Sequence, residues 1–476
     1  MLAATSCFKR NSLFIQFSVF RSMHSIPPID TTPPRYHGSL HPLDKDAFRK
    51  RISVLALRVP PNKTNSIIKS TALRRFLVGA PKLSPVVKDP SNPDGDRLVL
   101  LRITEKAQLS PEAQEIVDRD CIGFADYTVD LDYDYWTASE ILAAVLPEEL
   151  VEGSPVGFAA TGHVAHFNLN DEYLPYKYAI GQVFLDKNKQ IETVVNKLHE
   201  IDTQFRFFRM ELLAGKPDYV VTHHESNCRF TFDFSQVYWN SRLHPEHDRI
   251  VKLLDPSDIL ADVFAGVGPF AIPAAKLGCG IFANDLNPNS AKYLTQNVVN
   301  NNVEDLVRVS CEDGRTFIRD VFMRPIENPF QPYTGPRKSK TLERKLQKQA
   351  AKNSSTPQNQ SDRLVLPLRR TITHLVMNLP DSAISFLDAF RGVLSTPVLT
   401  EHYTRMPMVH CHCFTRELEE DNARVDILKR VEQVLGHSVS EDVCIVHIRS
   451  VAPGKEMYCI SFRLPREVAL GEVAES

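Results

Sequence analysis

A chain of 476 residues that is 43% hydrophobic and 24% charged has the composition of a folded protein with room for two or three domains, which excludes fibrous and disordered classes. Fifty-six Lys and Arg against 58 Asp and Glu leave a formal charge of −2, so no global basic field announces a nucleic-acid partner; such a contact must come from local patches. Nine cysteines without a Cys-x-x-Cys pair argue against a disulfide framework and a structural zinc site, and no apolar run is long enough to span a bilayer. No metal, no membrane and a reducing compartment are expected.

The first 29 residues interleave Lys9, Arg10 and Arg21 with Phe8, Leu13, Phe14, Ile15, Phe17, Val19 and Phe20, and the first acid is Asp30. That make-up predicts a mitochondrial transit peptide at 1–29. Met23 offers a second start just before the joint at Pro27, Pro28, Pro33 and Pro34, so a product in the mitochondrial matrix and another in the cytoplasm and nucleus are expected. Residues 30–151 read as a mixed module, with helical periodicity in Ile67–Leu77, a strand in Arg97–Ile103 and a surface turn at Asp89–Asp96. Residues 152–254 read as β-rich, with strands expected at Gly157–Leu169, Ala179–Leu185, Tyr219–Glu225 and Phe230–Val237.

From 255 to 466 strands alternate with helices, as a parallel α/β sheet requires. Strands are predicted at Ile259–Phe264, Gly280–Asn284, Leu306–Ser310, Thr373–Met377, Met408–Phe414, Val443–Arg449 and Met457–Leu464, with helices at Phe270–Leu277 and Ser290–Asn300. Residues 467–476 are a tail. A segment at 336–370 interrupts the domain with ten Lys and Arg against Glu343 and Asp362, a solvated loop by default and a basic arm for RNA phosphates in the sharper reading. The run His410-Cys411-His412-Cys413 alternates as a strand does, and a strand is preferred over a ligand cluster.

The strongest chemical signal is Asp262-Val-Phe-Ala-Gly266-Val-Gly268-Pro-Phe270 at the end of the first strand of this domain. Two glycines let the backbone approach a ligand where strand turns into helix, and Asp285, ending the second strand, can accept hydrogen bonds from ribose hydroxyls. The same spacing satisfies a dinucleotide fingerprint. Three features favour S-adenosylmethionine instead. Asp262 would oppose a pyrophosphate yet suits a cationic methionine and sulfonium; Asp313-Gly314 follows the third strand, where a carboxylate can meet the adenine amino group; and Met377-Asn378-Leu379-Pro380 ends the next, where Asn378 can orient a nucleobase edge.

On these residues, together with Phe205-Arg206-Phe-Phe-Arg-Met-Glu211, Asp233-Phe-Ser-Gln-Val-Tyr238-Trp-Asn-Ser-Arg242-Leu-His-Pro-Glu246-His247, Asn284-Asp285-Leu286-Asn287-Pro288 and Val451-Ala-Pro-Gly-Lys455-Glu-Met457, the chain resembles the archaeal and eukaryotic tRNA (guanine-N1)-methyltransferases that act at position 37. The resemblance runs from about Tyr135 to Pro465. It implies a class I, Rossmann-like methyltransferase domain behind two RNA-binding modules, S-adenosylmethionine as cofactor, tRNA as partner and a monomer. It further implies Glu246 as the base that removes the N1 proton, Arg206 as the cation facing guanine O6, and Asn378 as the base-orienting residue that also lies against the cofactor. His247, Asp262, Gly266, Gly268, Asp285, Leu286, Asp313, Gly314 and Pro380 match cofactor-lining positions, and Tyr238, Arg242, Lys455 and Arg206 match positions near the target RNA. The product would guard the reading frame and open the route to wybutosine in phenylalanine tRNA, on cytoplasmic and mitochondrial substrates. The rival readings are an aminocarboxypropyl transferase of wybutosine synthesis, an NAD-dependent dehydrogenase, and a catalytically silent RNA-binding protein.

Overall fold

Ten residues of alternating and then continuous apolar character, Lys50–Val59, make the first strand (β1), which lies inside the first sheet. The computed structural model describes residues 26–201, 205, 208–335 and 367–471, and the chain divides into two compact units, Met1–Ser154 and Pro155–Ser476. In the first unit β1 lies between β3 (Asn92–Leu101) and β4 (Gly123–Leu131), antiparallel to both, with β2 (Val86–Asp89) at the edge beyond β3. Leu55, Leu57 and Val59 meet Ile67, Leu73, Phe76 and Val117 from the flanking helices. The helix Pro111–Asp120 begins as its sequence dictates, with proline in the first turn and Ser110 accepting from the Ala113 amide. The expected leader lies outside the described residues up to 25, whereas Ile26 already packs against this core.

The second unit opens with a four-stranded sheet in the order β5 (Ala159–Thr161), β6 (Val164–Phe167), β7 (Thr193–Ile201), β8 (Phe208–Gly215). One expectation fails here: Ala179–Leu185 is not a strand but the middle of the helix Lys177–Lys187. Ala179, Ile180, Gly181, Val183 and Phe184 are all buried, so apolar residues occur around the helix and leave no one-sided stripe to recognise. Gly181 is required by contact, because a Cβ there would stand 2.5 Å from Leu213 Cβ. β9 (Val220–Glu225) and β10 (Cys228–Asp233) form a hairpin whose turn residues Ser226 and Asn227 take positive φ.

The remaining strands are β11 (Ile259–Asp262), β12 (Gly280–Asn284), β13 (Val307–Ser310), β14 (His374–Met377), β15 (Met408–Thr415), β16 (Cys444–Ala452) and β17 (Lys455–Arg463). They form one sheet in the order β13-β12-β11-β14-β15-β17-β16, parallel from β13 to β15, with β17 antiparallel to both of its neighbours. The alternation of strands and helices thus gives the parallel α/β sheet it predicted, in the class I methyltransferase arrangement that the family resemblance implied. The order reverses beside β11, so the carboxyl ends of β11, β12 and β14 open on one crevice, where such sheets bind ligands. Most of the inserted basic segment, 336–366, lies outside the described residues.

Candidate functional site

The turn after β11 is shaped by its two glycines for different reasons. Gly266 has φ +54° and a Cβ there would meet nothing within 4 Å, whereas a Cβ on Gly268, at φ +101°, would press to 2.8 Å on Ile272 and Leu294. Gly266 therefore keeps an opening, and Gly268 lets the next helix pack. The amide of Gly266 donates to Asp285 Oδ2 at 2.8 Å, and the Asn287 amide donates to Oδ1 at 2.9 Å. Asp285 thus braces the glycine turn, and its partial burial raises its carboxyl above the ordinary value.

Asp262 is fully buried, and among the described residues neither carboxylate oxygen has a hydrogen-bond partner. Burial, and next the nearby Asp285 charge, push its carboxyl up to about 8. An unpaired buried carboxylate is costly unless a proton or a cation meets it. The side-chain oxygen of Asn378, just beyond β14, is likewise buried and without a hydrogen-bond partner among the described residues. An ammonium or sulfonium suits the first group and an N–H donor the second, whereas a pyrophosphate suits neither. The residues present thus fit S-adenosylmethionine.

Around this opening the remaining expected positions fall on loop ends. Leu286 shows 42% of its surface, an apolar face beside Asp285. Asp313 caps the helix Gly314–Asp320, accepting the amides of Arg315 and Thr316 on Oδ1, and Gly314 fits beneath Phe264 and Phe386, where a Cβ would come within 2.9 and 3.1 Å of their rings. Pro380 accepts the Phe414 amide. Tyr238 is 45% exposed and Arg242 is exposed. Lys455 stands 4.1 Å from the Phe414 ring centroid and 3.8 Å from Asp381. Arg206 lies outside the described residues.

The helix His244–Val251 carries Glu246 and His247, both buried. His247 Nδ1 lies 2.6 Å from Glu225 Oε1 on β9, and its ring meets Phe270 edge-on. Glu246 is held on both oxygens: Arg249 donates from Nε to Oε2 at 2.6 Å and from Nη2 to Oε1 at 2.8 Å, and His412 Nε2 lies 2.6 Å from Oε1. Burial opposes the carboxylate, yet these two partners overcome it and hold the group down at about 2. A buried carboxylate in such company is an anion at every working pH.

Three residues to which the sequence reading gave no role hold this arrangement. Asn284, at the end of β12, donates to the carbonyls of Val263 and Glu312 and accepts from the Glu312 amide, tying three strand ends together. Asn297 joins the glycine turn to the hairpin by donating to Val267 O and accepting from the Thr231 amide. The third is His412. The four-residue His-Cys alternation is indeed strand β15, with Cys411 and Cys413 in the core on one face, but its other face delivers an imidazole to Glu246. A carboxyl and a histidine 166 positions apart share no local pattern; only the asparagine next to Asp285 carried a signal, as a polar residue in an otherwise apolar strand.

Comparison with known proteins accords with this geometry. The model of the TRM5/TYW2 methyltransferase domain matches residues 221–328, and that of the TYW2 N-terminal domain matches 138–218. The chain is 57% identical over 451 residues to a tRNA (guanine(37)-N(1))-methyltransferase of Coprinopsis cinerea, covering 93% of this chain and 98% of the relative. It is 41% identical over 436 residues to the Schizosaccharomyces pombe enzyme of the same name, covering 90% and 94%. Among solved structures, aTrm5 in its complex with tRNALeu superposes at a TM-score of 0.53 with 18% identity, over 86% of this chain and all of that one, a likeness of fold.

Proposed function

The chain belongs to the tRNA (guanine(37)-N(1))-methyltransferase family, and from that premise we propose that it transfers methyl from S-adenosylmethionine to N1 of guanosine 37 in tRNA. The observation that carries the cofactor half of this reading is Asp262, a wholly buried carboxylate with both oxygens unpartnered beside the glycine turn. Asp262, Gly266, Asp285, Leu286, Asp313 and Asn378 would hold the cofactor, which supplies an electrophilic methyl on its sulfonium.

The chain's own residues deal with the proton. N1 of guanine is a poor nucleophile while protonated, because its lone pair is delocalised into the O6 carbonyl. Glu246 accepts the N1 proton, Arg206 meets the negative charge that then develops on O6, and Asn378 aligns the base edge. In the ligand-free chain Glu246 is anionic but weakly basic, since two cationic groups share its oxygens; loosening one of those contacts as the base enters raises its basicity. Tyr238, Arg242 and Lys455 supply an aromatic face and two cations for the target nucleotide, which must leave its stack to expose N1.

Mass spectrometry of tRNA incubated with the purified chain and S-adenosylmethionine tests this reading. A gain of one methyl on guanosine 37 is expected. The match to a TYW2 model makes an aminocarboxypropyl adduct the outcome that would overturn it.

Three finer points complete the proposal. In phenylalanine tRNA the methylated guanosine is the first step towards wybutosine. Initiation at Met1 sends a product with the basic leader to mitochondria, and initiation at Met23 leaves one in the cytoplasm and nucleus, so both tRNA pools are served. Met1→Ala should abolish the mitochondrial pool and Met23→Ala the other; unchanged fractionation of both variants would remove the leader as the address. The chain acts as a monomer, for which light scattering of the pure protein is the check.

A further inference from the structure

We propose that His412 is the positioning residue of the reaction's base, fixing the Glu246 carboxylate from the floor of the site by an imidazolium that stays in place throughout turnover. This rests on Glu246 being the base. The contact is short, 2.6 Å between His412 Nε2 and Glu246 Oε1, and both side chains are sealed from solvent, at 0% and 3% exposure. Arg249, the other partner of Glu246, is 28% exposed. Of the two cationic contacts, the one that can swing out to solvent is therefore the arginine's. His412 has no such path, because it projects from the interior of β15, paired in register with Cys459 of β17, and Phe270 lies 5.8 Å from its ring.

The strand itself offers a contrast, two buried histidines whose nitrogens face different groups. His410 stands two residues earlier on the same face and is equally buried, yet its nitrogens meet neutral partners, Ser461 Oγ at 2.8 Å and His374 Nδ1 at 3.0 Å. Burial holds His410 well below the ordinary imidazole value. Burial acts on His412 in the same direction, but the Cys459 sulfur and the Glu246 carboxylate outweigh it and push His412 up to about 10. The groups facing the pair are Arg249 on the helix of Glu246, His410 on the strand of His412, Cys459 on β17 and Asp262 at the end of β11. A neutral residue at 412 would leave Arg249 as the sole cation on the carboxylate among the described residues.

The test is His412→Gln in the full chain, with single-turnover methyl transfer to tRNA followed from pH 5 to pH 9. Glutamine keeps an N–H donor but not the charge. An acidic limb, absent from the wild-type profile, should appear in this range, with a plateau roughly 10- to 100-fold lower and unchanged cofactor affinity. A folded variant whose rate falls equally at every pH has lost only structure and overturns the proposal, as does a rate within twofold of wild type. Should the variant not fold, nitrogen-15 NMR of histidine in the wild-type chain decides: an imidazolium resonance persisting at pH 9 is expected, and its absence overturns the proposal. Glu246→Gln separates the two readings, since full activity in that variant would remove the base assignment itself, whatever His412 does.

Discussion

Two buried carboxylates in the same domain face opposite circumstances. Glu246 is enclosed by partners from its own chain, an arginine one helical turn away and a histidine from β15, and is held down at about 2. Asp262, at the end of β11, is equally buried, has no hydrogen-bond partner on either oxygen among the described residues and is pushed up to about 8. The fold has satisfied the group proposed to act on the substrate and left unsatisfied the group proposed to meet the cofactor. Burial alone therefore does not set the state of an acid; what sits beside it does.

The sharpest way to break this contrast is to neutralise Glu246. Glu246→Gln preserves shape but cannot take a proton, and a lost general base costs roughly 100- to 10,000-fold in rate. Single-turnover kinetics at saturating tRNA and cofactor should show that loss with S-adenosylmethionine affinity unaltered. A variant within a few-fold of wild type would place the base elsewhere.

On the cofactor side, Asp285→Ala removes both the carboxylate offered to the ribose and the acceptor of the Gly266 amide. Hydrogen bonds to a charged group are worth roughly 1.5–3 kcal/mol, so affinity should fall about ten- to a hundredfold by calorimetry without tRNA. An unchanged dissociation constant in the folded variant would detach the glycine turn from the cofactor.

Asp262→Asn inverts the usual expectation for a buried acid. Because its folded value lies above its ordinary one of 3.8, the folded chain binds this proton more tightly than the unfolded chain does. Asp262 therefore makes the ligand-free protein lose stability as pH rises from about 4 to about 8. The asparagine variant should be more stable than wild type at pH 8, by roughly 1–3 kcal/mol, while binding the cofactor more weakly. Equal pH dependence of melting in the two proteins would show that Asp262 has a partner after all.

The two glycines offer the smallest effects and the finest distinction. Gly268→Ala meets both the strain of positive φ and the side chains of Ile272 and Leu294, whereas Gly266→Ala meets strain alone. Each strain term is about 1–3 kcal/mol, so Gly268→Ala should lower the melting temperature further, and Gly266→Ala should lose relatively more cofactor affinity. The reverse ranking would exchange the roles of the two residues.

Much of the catalytic domain was legible in the sequence because its signals are local. Every strand expected from Ile259 onward appears in the sheet, since continuous β-branched and apolar runs bounded by turn residues leave a short segment few other ways to bury itself. Glycine spacing marked the cofactor turn because conformational freedom is a property of single residues. Where burial came from all sides, as around Lys177–Lys187, periodicity vanished and a helix was taken for a strand. Sequence alone determined which groups stand at the strand ends and what chemistry they can offer. Tertiary structure decided which of them are charged and which are spoken for: a distant strand brings His412 to Glu246, and among the described residues no side chain hydrogen-bonds Asp262. Electrostatic state depends on through-space distance and on water excluded by packing, and neither is encoded at any one position of the chain.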